Sequence, residues 1–177
     1  KYFRDALTLR RTMLSEKHPQ LARSLRLLAD VLVRRGKWAE AEPLLDESLR
    51  ILEEVFGPRH VQVAMVLCSQ ARVCLGRGRV ANADRLGQQA LAIQEELSPR
   101  RDIFLSTTLR LLAQIALARK ENWAALRHAS LAVRELDGAT DANDIDVALA
   151  ALVEGETLAA AGEWAQASSA LQRATEI

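Results

Sequence analysis

Aromatic side chains are scarce in this sequence, at only 4% of 177 residues. Three Trp, three Phe and one Tyr cannot furnish the repeated stacking platforms that single-stranded nucleic acid needs. Long apolar runs are missing as well. No stretch of about 18 apolar residues occurs, so no membrane-spanning helix is expected. Cysteine is limited to Cys68 and Cys74. On one helix their spacing points them to different faces, so they cannot bridge each other, and a reduced, intracellular (cytoplasmic) setting is the default. Histidine is limited to His18, His60 and His128, and no His/Glu or Cys/His spacing suits zinc. No Ser or Cys stands with a base and an orienting partner, so nothing points to nucleophilic catalysis. The N-terminal stretch Lys1-Tyr2-Phe3-Arg4-Asp5-Ala6-Leu7 is amphipathic and lacks a signal-peptide layout.

What remains is rich in Ala and Leu, a composition that favours helices over strands. The length suits one ordinary domain with a sizeable core. Net charge is +1 but unevenly spread. Residues 1–136 hold 23 basic and 15 acidic side chains, whereas residues 137–177 hold Arg173 alone against 8 acidic ones. The basic side chains of the first part are interleaved with Glu and Asp around the helices, which argues against a phosphate-tracking stripe and so against nucleic acid.

The stretch Gly36-Lys37-Trp38-Ala39-Glu40-Ala41 reads as a tight turn between two antiparallel helices. Gly36 can end a helix at positive φ. Trp38 is expected to pack back into the corner, and Ala41 lets the helices cross closely. Adding 42 gives Gly78, Val80 and Ala83, then Lys120, Asn122 and Ala125 with Trp123 one place late, then Gly162, Trp164 and Ala167. One helical hairpin is therefore written repeatedly. Ala6, Leu7 and Leu9 lie 42 before Ser48, Leu49 and Ile51, so residues 1–15 read as the second half of a second helix, within a partial repeat 1–17. Full repeats follow at 18–59, 60–101 and 102–143, with a truncated one at 144–177. A single array cut inside a repeat at both ends is expected to be a fragment of a longer protein.

Polar N-cap residues open each unit at His18, His60, Asp102 and Asp144, with Pro19 in a first turn where its missing N–H is harmless. The first helix has its core stripe at Leu25, Leu28, Ala29 and Leu32, spaced i, i+3, i+4, i+7. Ala29 recurs as Ala71, Ala113 and Gly155, all small enough for a close crossing. The second helix, 38–56, is expected to bury Ala41, Leu45, Ser48, Leu49 and Leu52, and Phe56-Gly57-Pro58 stops it. The glycines of Gly76-Arg77-Gly78 should fray the next helix early, and Gly87 should leave room or a kink. Gly76-Arg77-Gly78-Arg79-Val80-Ala81 matches a nucleotide fingerprint, but it follows a helix rather than a strand. Asp137, Asp141, Asp144 and Asp146 crowd one loop without the spacing of a calcium loop. Neither a metal nor a cofactor is expected. Trp164 should be substantially buried as turn packing.

Leu28, Ala29, Gly36, Trp38, Ala41, Ser48 and Leu49, with their echoes, resemble the tetratricopeptide repeat, whose usual period is 34 residues. The 42-residue spacing with Phe56-Gly57…His60 between units is similar to the kinesin light chain type, also found in bacterial signalling proteins. The resemblance covers essentially the whole chain. It implies an all-α, right-handed superhelix of antiparallel helix pairs, a solenoid whose first helices line a concave peptide-binding groove. Positions that hold backbone-clamping asparagines in the kinesin light chain type are here Leu27, Ser69, Leu111 and Val153.

The face opposite the core stripe carries Arg23, Arg26, Asp30 and Arg34 in the first unit, and Met65, Cys68, Arg72 and Gly76 in the second. It continues as Thr107, Arg110, Gln114 and Ala118, then Leu149, Leu152, Glu156 and Ala160. Arg at one end and apolar residues at the other suit an acidic segment with a hydrophobic anchor. The expected partner-binding set is Arg23, Arg26, Leu27, Asp30, Arg34, Met65, Ser69, Arg72, Thr107, Arg110, Leu111 and Gln114. The resulting expectation is a non-catalytic protein-interaction module, monomeric or weakly self-associating through its ends. A self-association scaffold and the regulatory arm of a signalling enzyme, with its catalytic domain elsewhere, are the alternatives.

Overall fold

A computed structural model describes residues 13, 15, 17–97, 103–136 and 143–176. Every element among them is a helix, and no strand occurs there. The helices are α1 (Pro19–Arg34), α2 (Trp38–Phe56), α3 (Val61–Gly76), α4 (Val80–Leu97), α5 (Ile103–Ala118), α6 (Asn122–Leu136), α7 (Asp144–Ala161) and α8 (Trp164–Glu176). The chain divides into two compact units, Lys1–Ile93 and Gln94–Ile177.

The hairpin turns are one motif written four times. The amides of Gly36, Gly78, Lys120 and Gly162 each donate to the carbonyl three residues back. The next residues, Lys37, Arg79, Glu121 and Glu163, donate five back, to Leu32, Cys74, Ala116 and Leu158. This pair of bonds satisfies carbonyls that a helix end otherwise leaves open, and it needs a residue at positive φ. Three of the four are glycine; the fourth, Lys120, sits at φ 62° with a side chain attached.

Helix starts follow the caps. His18 and His60 each accept a backbone hydrogen bond at Nδ1, from the amides of Gln20 (3.1 Å) and Gln62 (3.2 Å). In the last repeat the cap is Asn143, whose Oδ1 accepts from the Asp146 amide at 3.0 Å. The cap therefore lies one residue before the expected Asp144, because a carboxamide at 143 reaches the third amide and leaves Asp144 as the first helical residue. The expected cap at Asp102 lies outside the described residues.

Within the first unit Leu25, Leu28, Ala29 and Leu32 of α1 are buried, as their spacing requires. On α2 the buried set is Ala41, Leu45, Ser48, Ile51 and Leu52. Ile51 takes the interior place expected of Leu49, which is half-buried at the margin. Each large aliphatic side chain fully removed from water contributes about 1.5–3 kcal/mol. The Ser48 hydroxyl donates to the Ala22 carbonyl across the pair at 2.8 Å. Two repeats later the same two positions are exchanged: Ser106 on α5 donates to the Ala132 carbonyl of α6 at 2.9 Å. One buried hydroxyl suffices, and either helix can supply it.

In the second unit Ala113, Ala129 and Val153 bring α5, α6 and α7 together in one core cluster. Leu158, Ala167 and Ala170 pack α7 on α8. A β-carbon at Gly155 would stand 2.6 Å from Leu171 Cγ, so that crossing closes only on glycine.

Three expectations about the turns are corrected here. Helix α3 does not fray early; it runs to Gly76 and matches α1 and α5 at 16 residues. Gly76 is a seat for the Trp38 ring, whose Cζ2 would lie 2.7 Å from any β-carbon there. Trp38 thus packs forward on the first helix of the following repeat, not back into its own corner as expected, and that contact compensates the weak helix propensity of glycine. The burial expected for Trp164 is also absent: it is 71% exposed. A ring that packs forward is covered by the next repeat, and no described helix follows α8. Asn122, two repeats after Trp38, reaches the matching place, its amide donating to the Ala160 carbonyl. Trp123 stands one residue out of register and is 73% exposed.

Candidate interaction surface

In the first unit, α1 and α3 present the face opposite their core. Arg23 and Arg34 are exposed, while Arg26, Leu27, Asp30, Met65 and Arg72 are half-buried. Arg26 Nη1 donates to Asp30 Oδ2 at 2.8 Å one turn along α1. The Ser69 hydroxyl donates to the other carboxylate oxygen of Asp30 at 2.7 Å, crossing from α3 to α1. Asp30 is therefore held on both oxygens, and it fixes the register between the first helices of two consecutive repeats. Arg23, Arg26, Arg34 and Arg72 share this face with one carboxylate that is already engaged.

In the second unit Thr107, Arg110 and Gln114 lie on the equivalent face of α5. Arg110 Nη2 donates to Thr107 Oγ1 at 3.3 Å, Thr107 is half-buried and Gln114 is exposed. Farther on, α7 exposes Ile145, Leu149, Leu152, Glu156 and Ala160.

Two residues of the expected set do not face a partner. Ser69 is buried and spends its hydroxyl on Asp30, and Leu111 is buried in the packing of α5. Val153 is likewise in the core cluster with Ala113 and Ala129. Large or hydroxyl-bearing residues at these positions turn inward, where an asparagine would need polar company. Cys68, on the same sequence stripe, is buried too.

A second polar cluster was not legible as a site. Glu42 of α2 receives both Arg77 and Arg79 from the α3–α4 turn, Arg79 Nη2 to Oε1 at 2.6 Å and Arg77 Nη1 to Oε2. The Arg79 hydrogen bond, with the charges of both arginines, holds the Glu42 carboxyl below its ordinary value of 4.5. The two arginines of the apparent nucleotide fingerprint thus bind a side chain of their own chain, and Gly78 serves the turn. Only the pairing of Glu42 with residues one repeat later, at i+35 and i+37, could have shown this. Beside the cluster, a cleft of about 190 Å³ opens between α2, α3 and α4 over Leu45, Val73 and Cys74. Burial pushes the Cys74 thiol up, so it is a weak nucleophile. The described residues contain no group of three His, Cys, Asp or Glu that could hold a metal ion, and no helix among them is long and apolar enough to cross a membrane.

The paired helices and the repeated turn agree with comparisons to known proteins. The sequence profile of the tetratricopeptide repeat matches residues 1–54 and 24–96, more than half of the chain. No curated protein sequence matches. Among solved structures the fold is similar to BtubC (BKLC) from P. vanneervenii, with a TM-score of 0.78 and 19% identity over 98% of this chain and 69% of that one. It is also similar to kinesin-light-chain TPR-like repeats from Podosopora anserina, with a TM-score of 0.68 and 19% identity over 98% of this chain and 82% of that one. A point variant of the latter superposes with a TM-score of 0.71, again at 19% identity over 98% of this chain and 82% of that one. At this identity the likeness concerns the fold, an all-α repeat solenoid. The matched profile, together with a helical hairpin repeated in register, establishes that the chain belongs to the tetratricopeptide-repeat family.

Proposed function

We propose that this chain is a non-catalytic, cytoplasmic protein-interaction module of a signalling protein, and that it takes an acidic peptide or partner segment on the first-helix faces of α1, α3 and α5. Tetratricopeptide repeats in general mediate contacts between proteins. The observation that carries the acidic preference is the charge of the α1–α3 face. Arg23, Arg26, Arg34 and Arg72 stand there against Asp30, whose two oxygens are taken by Arg26 and Ser69. A carboxylate of a partner meets guanidinium groups there with no competing free anion among the residues of α1 and α3, and planar guanidinium favours bidentate carboxylate contacts. Leu27 and Met65, half-buried beside them, offer an apolar seat for a hydrophobic anchor. Thr107, Arg110 and Gln114 offer the same chemistry on α5 of the second unit.

The test is titration of a labelled Glu/Asp-rich peptide carrying one Leu or Trp anchor, against the wild type and against Arg26→Glu, Arg72→Glu, Arg110→Glu together. The triple reversal is expected to weaken binding at least about tenfold, since each lost charged contact is worth roughly 1.5–3 kcal/mol. Melting temperature should fall somewhat, because Arg26→Glu breaks the pair with Asp30, so binding is compared at a temperature where circular dichroism shows the triple mutant folded. Undiminished binding by a folded triple mutant removes the assignment.

A further inference from the structure

Helix α7 carries a surface of a different kind. Ile145 is 69% exposed, Leu149 39% and Leu152 40%. At 100° per residue these three fall within about 60° of one another on the helical wheel. Glu156 continues the same stripe and is exposed. Scattered exposed aliphatics need no explanation, but three in line on one helix do.

The charge on the helix that bears the stripe is of one sign. Helix α7 contains Asp144, Asp146, Glu154 and Glu156 and not a single Lys or Arg. Glu154 lies on the opposite side and is consumed by Arg173, whose Nη2 is 2.8 Å away, and by the Ser130 hydroxyl. Asp144, Asp146 and Glu156 take part in no ion pair among the described residues. The two aspartates in the first turn are favourable to the helix on their own account. Glu156 has no such reason, since it lies well beyond the first turn, at the end of the apolar trio. Of the helices packed on α7, α5 carries Arg110, which donates to Thr107 of its own helix, α6 carries Arg127 and Arg134, and α8 carries Arg173, which is spent on Glu154. The trio is thus bracketed by carboxylates at both ends.

We propose that this stripe is a second docking site, distinct from the arginine face of α1 and α3, and that its occupant is a basic amphipathic helical segment of a partner protein. Such a segment would present aliphatic side chains at i, i+4 and i+7 to Ile145, Leu149 and Leu152. It would place Lys or Arg on both flanks, about 15–18 Å apart, the rise between the aspartates and Glu156. An acidic segment would be repelled here although it suits the first site. The proposal does not depend on the arginine face being a binding site.

The probe is a fluorescein-labelled helical peptide with Leu at i, i+4 and i+7 and two Lys at each end. An otherwise identical peptide with Glu for Lys is the control. Fluorescence anisotropy at low salt is expected to show the Lys peptide binding at least about tenfold tighter than the Glu peptide. Raising the salt should weaken it. Leu149→Ser with Leu152→Ser should remove binding, and Glu156→Lys should narrow the preference between the peptides. Because these side chains lie outside the buried core, circular dichroism should show each variant still folded at the temperature of the binding assay. Arg26→Glu with Arg72→Glu should leave the Lys peptide unaffected, so failure of the first site and of this one are read separately. Equal affinity for both peptides, no binding of either, or indifference to the leucine variants overturns the proposal. So does a dimer of the protein alone that is lost in Leu149→Ser, because a second copy would then be the occupant.

Discussion

At the scale of single residues the turns show where this sequence carries strain. Lys120 occupies, at φ 62°, the place that glycine holds at 36, 78 and 162. A left-handed conformation costs a residue with a β-carbon roughly 1–2 kcal/mol. Lys120→Gly regains part of this and gives some back to the flexibility of the unfolded chain. The expected result is a stabilisation of about 0.5–1 kcal/mol, read from the urea midpoint; a destabilised variant would show that the Lys120 side chain has a compensating contact. The tryptophans form a second residue-scale contrast. Trp38 is half-buried over Gly76, whereas Trp164 is 71% exposed. Full truncation of a buried Trp costs roughly 3–5 kcal/mol. Trp38→Ala should therefore cost a substantial part of that, and Trp164→Ala should be near neutral. Similar losses in the two variants would contradict the register in which Trp38 packs forward on the next repeat.

At the scale of elements, histidine caps start the first helices and one arginine clamp joins helices across a repeat boundary. His18 and His60 cap α1 and α3 through Nδ1. Replacing a capping side chain by Ala costs about 0.5–2 kcal/mol, while Asn retains the acceptor. His60→Ala should destabilise within that range and His60→Asn by less, as monitored by thermal melting. His60 also stacks on Phe56, ring centroids 4.3 Å apart, so a residual loss in His60→Asn would report the stack. The Glu42 clamp ties α2 to the turn after α3. Because Arg79 and Arg77 depress the Glu42 pKa, its contribution is fully present above the ordinary value of 4.5 and is lost as pH falls through the lower folded value. Glu42→Gln should accordingly lose less stability than wild type between neutral pH and pH values well below 4.5. Equal losses in the two proteins would mean that the clamp carries no net stabilisation.

At the scale of the whole molecule, stability in a repeat array is a sum over units and their neighbouring contacts. A perturbation should therefore stay near its origin. Gly76→Ala forces a β-carbon against the Trp38 ring and should cost about 1–3 kcal/mol by overpacking. In hydrogen exchange the amides of α1 to α3 should lose protection first. An equal loss throughout Ile103–Leu136 would show cooperativity longer-ranged than nearest neighbours. Charge is also arranged at this scale. The residues before 137 carry the excess of Arg and those after it the excess of acid. The two proposed surfaces follow that division, an arginine face for acidic segments and a carboxylate-bracketed stripe for basic ones.

Much was legible from the sequence because backbone geometry is local. The positive φ at Gly36, Gly78 and Gly162, the small residues at Ala29, Ala71, Ala113 and Gly155, and the core stripe of α1 all follow from period and residue type. These requirements arise within one helix or one turn. The direction of Trp38, the inward turn of Ser69 and Leu111, the bond from Ser69 to Asp30 and the capture of Arg77 and Arg79 by Glu42 were decided only in three dimensions. Most of these depend on which residue of the next repeat stands opposite, a separation of 35 to 39 positions in the chain. Helical periodicity tells which way a side chain points from its own axis. It does not tell whether the space it points into holds a carboxylate, a bare glycine or water, and that difference separates core, clamp and surface here.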